Sequence, residues 1–351
     1  MNLRLNRFAK RSVVASFALT ALGFGLLPSS TKVAKADILV TAGADKKVKI
    51  WNPTDGKLIK EIEAHEGVVT QVAVSPDGKT IVTAGAAKKI KIWNAEDGKL
   101  IKEIVAHDGA VTCFSVSADS KLLVTGGDDK KVKFWDAKTG KLVQTIDNEE
   151  KLLSVGSGGS MTIASGNEGT VKIYGEDGSL QFPIPTNHTG GLRSTAGNPV
   201  EPMLYTGGGD GSIKYWSAGS QGEFDKKAGG SVNVMAVSSN GKLLYSGSSD
   251  GKVNVWDTDA YTLKTTVDAM QKGGITAMTL SADGKTIFTG GADKTVKIWS
   301  ADGKLIKTIE KAHDGNITYM FYHADKKATD TKDVKSGHKK TDTKEEPKKS
   351  E

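Results

Sequence analysis

The chain has 351 residues, 37% hydrophobic and 6% aromatic, with 41 glycines, eight prolines and a single cysteine. That length accommodates several average domains or one large all-β domain; the glycines lack a Gly-X-Y period, which excludes collagen, and one cysteine excludes a disulfide framework. The net charge of +7 is carried by the ends: residues 1–36 hold six basic side chains and no acid, residues 324–351 nine lysines against seven acids, and residues 37–323 only 33 basic against 34 acidic. A near-neutral middle whose sole arginine is Arg193 argues against a nucleic-acid-binding surface.

At the N-terminus, Arg4, Arg7, Lys10 and Arg11 precede an apolar run from Ser12 to Leu27, and Ala34-Lys35-Ala36 has a small-x-small form. The run falls short of the roughly 20 residues of a membrane span. A signal peptide over 1–36 is predicted, with cleavage after Ala36 and Asp37 as the mature N-terminus. Export to a periplasm, a lumen or the exterior follows, without stable membrane insertion after cleavage. An uncleaved anchor is the alternative.

The mature chain opens directly on strand-like sequence, Ile38–Gly43, followed by Val48-Lys49-Ile50-Trp51. The second segment recurs down the chain, ending at Trp93, Trp135, Trp216, Trp256 and Trp299, with Tyr174 in the double-length gap. These seven marks lie 42, 42, 39, 42, 40 and 43 residues apart, and all six tryptophans of the protein are among them. Such a period signals a repeat architecture. In the second unit Val69–Ser75, Ile81–Gly85, Lys89–Trp93 and Leu100–Val105 read as strands, with Asp77-Gly78 and Asp97-Gly98 as turns. Four strands cannot bury both faces alone, but seven such blades closed radially do so. The expected fold is an all-β, seven-bladed β-propeller of four-stranded antiparallel blades spanning 37–323.

After the seventh mark, Leu305–Ile309 leads to His313 and an orphan strand, Asn316–Tyr322. The first unit lacks a first strand, so this C-terminal strand is expected to complete the first blade and close a monomeric ring. From 324 to 351 almost nothing is apolar. Such a segment cannot offset its ordering entropy, and a disordered, solubilising tail is expected.

The repeats resemble those of the WD-repeat family, whose unit runs from Gly-His to Trp-Asp. Here the pairs read Ala64-His65, Ala106-His107, Asn187-His188 and Ala312-His313 at one end, and Trp135-Asp136 and Trp256-Asp257 at the other. The resemblance implies a buried hydrogen-bonded chain of His, Ser/Thr, Asp and Trp in each complete blade. It assigns His107, Thr125, Asp129 and Trp135 to the third blade, and His188, Thr206, Asp210 and Trp216 to the fifth. Through closure it assigns His313, Thr41, Asp45 and Trp51 to the first. In the second blade Ala87 stands where the Asp belongs, so the chain from His65 to Thr83 should be broken. The sixth and seventh blades lack the His, and the fourth has Glu168 and Tyr174 in the Asp and Trp positions.

Chemistry is sparse. The histidines are held on separate blades, and no zinc or EF-hand spacing occurs. Gly247-Ser248-Ser249-Asp250-Gly251 mimics a nucleophile elbow but lies in a hairpin. The expected inner strands, from Val69–Ser75 round to Ile317–Tyr322, hold no Asp, Glu or His. No catalytic residue, metal or cofactor is therefore expected. Every Trp is assigned to a blade, which leaves no aromatic platform for sugars. Asn187-His188-Thr189 and Asn316-Ile317-Thr318 match the glycosylation pattern without deciding its use.

The face built from the His loops should show Glu66, Asp108 and Asp314 beside Lys46, Lys88 and Lys130. Arg193 falls five residues after His188, where other blades have Thr70, Thr112 and Thr318. That placement puts Arg193 near the channel mouth as a candidate partner anchor. The expected function is a non-catalytic scaffold binding one or more proteins. The alternatives are a channel-centred enzyme of lactonase or quinone-cofactor type, and a propeller binding a small ligand or polysaccharide.

Overall fold

The computed structural model describes residues 37–75, 77–117, 121–158, 161–175, 177–217, 220–269 and 271–324. The expected signal peptide with Ala34 and Ala36, and the tail beyond Ala324, lie outside them. Every regular element among the described residues is a β-strand, and these form seven four-stranded antiparallel sheets. In the second blade the inner strand is Val69–Val74 and the outer one Leu100–Val105, with Thr80–Gly85 and Lys89–Asn94 between. Six blades use consecutive strands.

The first blade does not. Its inner strand is Ile317–His323, from the far end of the chain, paired antiparallel to Ile38–Gly43 with Thr41 opposite Met320. The outer two strands are Lys47–Trp51 and Leu58–Glu63. Tyr322 donates to the Asp37 carboxylate at 2.6 Å and stacks near Phe288. The first described residue is thereby fastened to the closing strand. That strand runs one residue beyond the expected Tyr322, and it takes in buried His323, so the inner strands do contain one histidine.

The core lies between blades. Val82, Ile90 and Ile92 of the second blade pack against Phe114, Leu123 and Trp135 of the third. Across the closure, Phe288 and Ile298 pack against Leu39, Trp51 and Met320. Apolar contacts of this kind make the ring cooperative, since no blade buries both faces without its neighbours. Asp-Gly and Asn-Gly turns supply left-handed backbone, as at Gly78, Gly241 and Gly284.

Candidate functional site

Each blade is entered by a loop from the outer strand of the preceding one, and in all but the sixth that loop brings a polar side chain over the second strand. In the third blade His107 Nδ1 donates to Asp129 at 2.8 Å, since a carboxylate can only accept. Thr125 then donates to Nε2 at 2.7 Å and accepts from Trp135 Nε1 at 2.9 Å. The Asp129 carboxylate also takes the N–H of Asp108 at 3.1 Å and of Lys131 at 3.2 Å. One carboxylate thus ties together three donors from two loops.

The first blade repeats this across the closure. His313 meets Thr41 at 2.7 Å and Asp45 at 2.9 Å, Trp51 donates to Thr41 at 2.8 Å, and Asp45 accepts from the N–H groups of Asp314 and Lys47. In the fifth blade His188 meets Thr206 at 2.9 Å, and Trp216 donates to the same hydroxyl. There Ser212 intervenes: its Oγ lies 2.9 Å from His188 Nδ1 and donates to Asp210, which is 3.4 Å from the ring. Asp210 accepts the N–H groups of Thr189 and Ser212.

Glycine after the threonine makes room for the ring. A Cβ on Gly127 would lie 2.6 Å from His107 Nδ1 and from Asp129, and one on Gly85 would lie 2.7 Å from His65. That glycine marks substitutes which the search for histidine missed. In the seventh blade Gln271 occupies the place, accepting from Thr289 at 3.1 Å and donating to Asp293 at 2.6 Å. Gln271 precedes Thr289 by 18 residues, as His107 precedes Thr125. In the fourth blade Glu150 lies against Gly166 and accepts the N–H of Glu168 at 2.9 Å, while the Glu168 side chain is exposed. Tyr174 donates to Asn148. Only in the sixth blade is the position small, Ala228, and there Ser248 replaces the glycine.

The second blade keeps His65–Thr83 at 2.8 Å and Trp93–Thr83 at 2.9 Å. With Ala87 in the Asp position, buried His65 Nδ1 has no hydrogen-bond partner. Burial, reinforced by the Lys91 charge, pushes this imidazole down to about 4. Burial also lowers His107, His188 and His313, outweighing their aspartates. Burial raises the Asp45 and Asp129 carboxyls, but their hydrogen bonds and the facing histidines hold both below the ordinary range. Asp210, with its Ser212 and Thr189 donors, falls to about 2. The rings are therefore neutral at pH 7, and those of the first, third and fifth blades face carboxylates that remain charged.

Glu66, Asp108 and Asp314 are exposed on the His-loop face. Lys46, Lys88 and Lys130 stand exposed on the turns between second and third strands, with φ of 73°, 69° and 62°. Left-handed backbone costs a lysine about 1–2 kcal/mol, and the fourth to sixth blades use Gly169, Gly211 and Gly251 there. Arg193 is exposed at the second position of its inner strand. At the matching position Thr70, Asn233, Thr276 and Thr318 each donate to the next blade's backbone. Neither Arg193 nor these three lysines has a side-chain hydrogen bond or ion pair among the described residues.

Among the described residues no group of three or more His, Cys, Asp or Glu is placed to hold a metal. Cys113 is fully buried, and burial pushes its thiol up to about 12. Trp216 differs from the other tryptophans in being only half-buried. With Lys214, Gln221, Gly222 and Glu223 it lines a shallow cavity of about 260 Å³, because the fifth blade's outer strand has shortened to Gln221–Glu223. Trp216 keeps its assigned place in the blade, donating to Thr206 at 2.9 Å, with part of its ring open to this cavity.

Residues 56–94, 98–136, 181–217, 221–257 and 262–300 match the family model of the WD domain, G-beta repeat. Residues 137–180, which include Tyr174 and the three inner strands of its blade, lie outside these matches. Over 43 residues the chain is 49% identical to small ribosomal subunit protein RACK1y of Oryza sativa subsp. japonica, a match spanning 12% of this chain and 13% of that relative. The crystal structure of the computationally designed Ika8 protein resembles it with a TM-score of 0.64, covering 84% of this chain and 92% of that one at 22% identity. That likeness is one of fold.

Proposed function

The chain belongs to the WD-repeat family, and on that premise we propose that it is a non-catalytic scaffold docking partner proteins on its His-loop face. Propellers of this family typically hold other proteins, because loops vary while the ring stays fixed. The observation that carries the reading is the set of uncommitted cations on one face, Arg193 with Lys46, Lys88 and Lys130. In four of the other six blades the side chain at the Arg193 position bonds to the neighbouring blade. Arginine is also favoured at interface hot spots. The basic, apolar and small-residue order of 1–36 supports an exported compartment, a cell envelope or the exterior.

Affinity capture with in-cell crosslinking tests this, comparing the natural chain with Arg193→Ala. A reproducible protein partner lost in the variant is expected. Absence of any captured protein, together with substrate turnover by the purified ring, would sink the reading.

One observation favours a second reading, a small ligand or saccharide on the fifth blade. Half-buried Trp216 opens on a cavity edged by Gln221 and Glu223. Saturable quenching of tryptophan fluorescence by soluble oligosaccharides, lost in Trp216→Phe, would support it.

A further inference from the structure

We propose that the second blade carries a preformed site for a carboxylate, and that an acidic side chain of a docked partner fills it. In the first, third and fifth blades one aspartate collects donors from two loops. It takes the N–H after the histidine (Asp314, Asp108 and Thr189) and the N–H two residues after itself (Lys47, Lys131 and Ser212). In the first and third blades it also takes the ring Nδ1–H directly.

The second blade keeps this frame and lacks the acceptor. Its corresponding groups are His65 Nδ1 and the N–H groups of Glu66 and Lys89, and Ala87 stands where Asp45 and Asp129 stand. His65 is only 7% exposed, and its Nδ1 is unpartnered. The Thr83 hydroxyl lies 2.8 Å from Nε2 but 3.4 Å from the Lys91 carbonyl, so it donates to the ring and leaves the proton on Nδ1. Ala86 is exposed and Ala87 half-buried, which opens the place to the His-loop face.

The charge of the surroundings fits a carboxylate. Lys89 and Lys91 both reach Glu66 and are shared with Glu103 at 2.9 and 3.5 Å, and exposed Lys88 follows Ala87 directly. Glu66 is the internal competitor. Its carboxylate folds back on its own N–H and lies 3.5 Å from Lys91 and 3.7 Å from Lys89, yet its side chain stays 63% exposed. It engages the lysines without satisfying His65. A carboxylate arriving from above would displace Glu66, accept from His65 Nδ1, and complete in trans the chain that the neighbouring blades complete for themselves. The partner half of the proposal rests on the scaffold reading; the carboxylate site does not.

The site is tested on the purified chain with acetate as the probe, followed by imidazole ¹H–¹⁵N resonances at pH 7 and constant ionic strength. A saturable shift of the His65 signal is expected, with no such shift from chloride and none in Ala87→Asp, which supplies the carboxylate internally. Unmoved His107, His188 and His313 signals establish that the variant is folded. Glu66→Gln should lower the half-saturating acetate concentration at least threefold. No saturable shift, an equal response to chloride, or an unchanged response in Ala87→Asp would overturn the site. Partner capture with Ala87→Asp is run alongside. Undiminished capture overturns the partner's role alone, and no capture by the natural chain overturns the scaffold reading while the acetate result stands.

Discussion

The first and second blades differ at only four of 18 positions between Gly43–Lys60 and Gly85–Lys102. One of the four, Asp45 against Ala87, separates a closed polar chain from an open one. Both blades keep the histidine, the threonine, the tryptophan, the glycine beneath the ring and the lysine at left-handed φ. The contrast teaches that the histidine does not depend on the aspartate for its position. Thr83 and the packing over Gly85 are enough to seat it, so the carboxylate serves to satisfy buried donors and knit two loops.

Identical substitutions in the two blades should therefore differ in cost. His313→Ala strands the buried Asp45 carboxylate, opens a cavity and loosens the contact that crosses the closure. A loss of about 3–5 kcal/mol in urea unfolding is expected. His65→Ala abandons no carboxylate and should cost about 2 kcal/mol. Equal losses would break the comparison. In the opposite direction, Ala87→Asp gives His65 its acceptor and should stabilise by about 1 kcal/mol, a rise of a few degrees in Tm; a lowered Tm would show that Lys88 and Ala86 cannot seat the carboxylate.

Acid sharpens the same contrast. The His65 imidazole lies near 4 in the folded chain against an ordinary 6.5, so between those values the unfolded chain binds a proton that the folded one refuses. Its contribution is complete above pH 6.5 and declines as pH falls toward 4. An Asp at 87 should raise the folded value and flatten the decline of Tm over that window. Arg193→Ala is expected to have the smallest effect on stability, within about 0.5 kcal/mol, because the side chain is exposed and has no ion pair or hydrogen bond among the described residues.

The ring was legible because the tryptophan spacing and the unpaired strand at each end are written in residue identity. The polar chains of the first, third and fifth blades could likewise be located from a fixed 18-residue interval or from the closure itself. What escaped was substitution by shape. Gln271 does the work of a histidine because an amide offers an acceptor and a donor at similar reach, and a search for His passes over it. Glu150 was harder still, since it lies only 15 residues before Ser165, and only the glycine at 166 marks the space it fills. The exposure of Trp216 follows from a three-residue outer strand, whose shortness no local pattern announced. The committed positions repeat because packing enforces them; the uncommitted ones, Arg193 and Ala87, stand out only against that repetition.

Docking on the His-loop face is tested most directly by hydrogen–deuterium exchange on the protein alone and with its captured partner. The expected result is protection confined to the loops around 65–68 and 86–89 and the stretch 190–193, with the outer strands Leu58–Glu63 and Leu305–Ile309 unchanged. Protection of those outer strands with the His loops unaffected would contradict it.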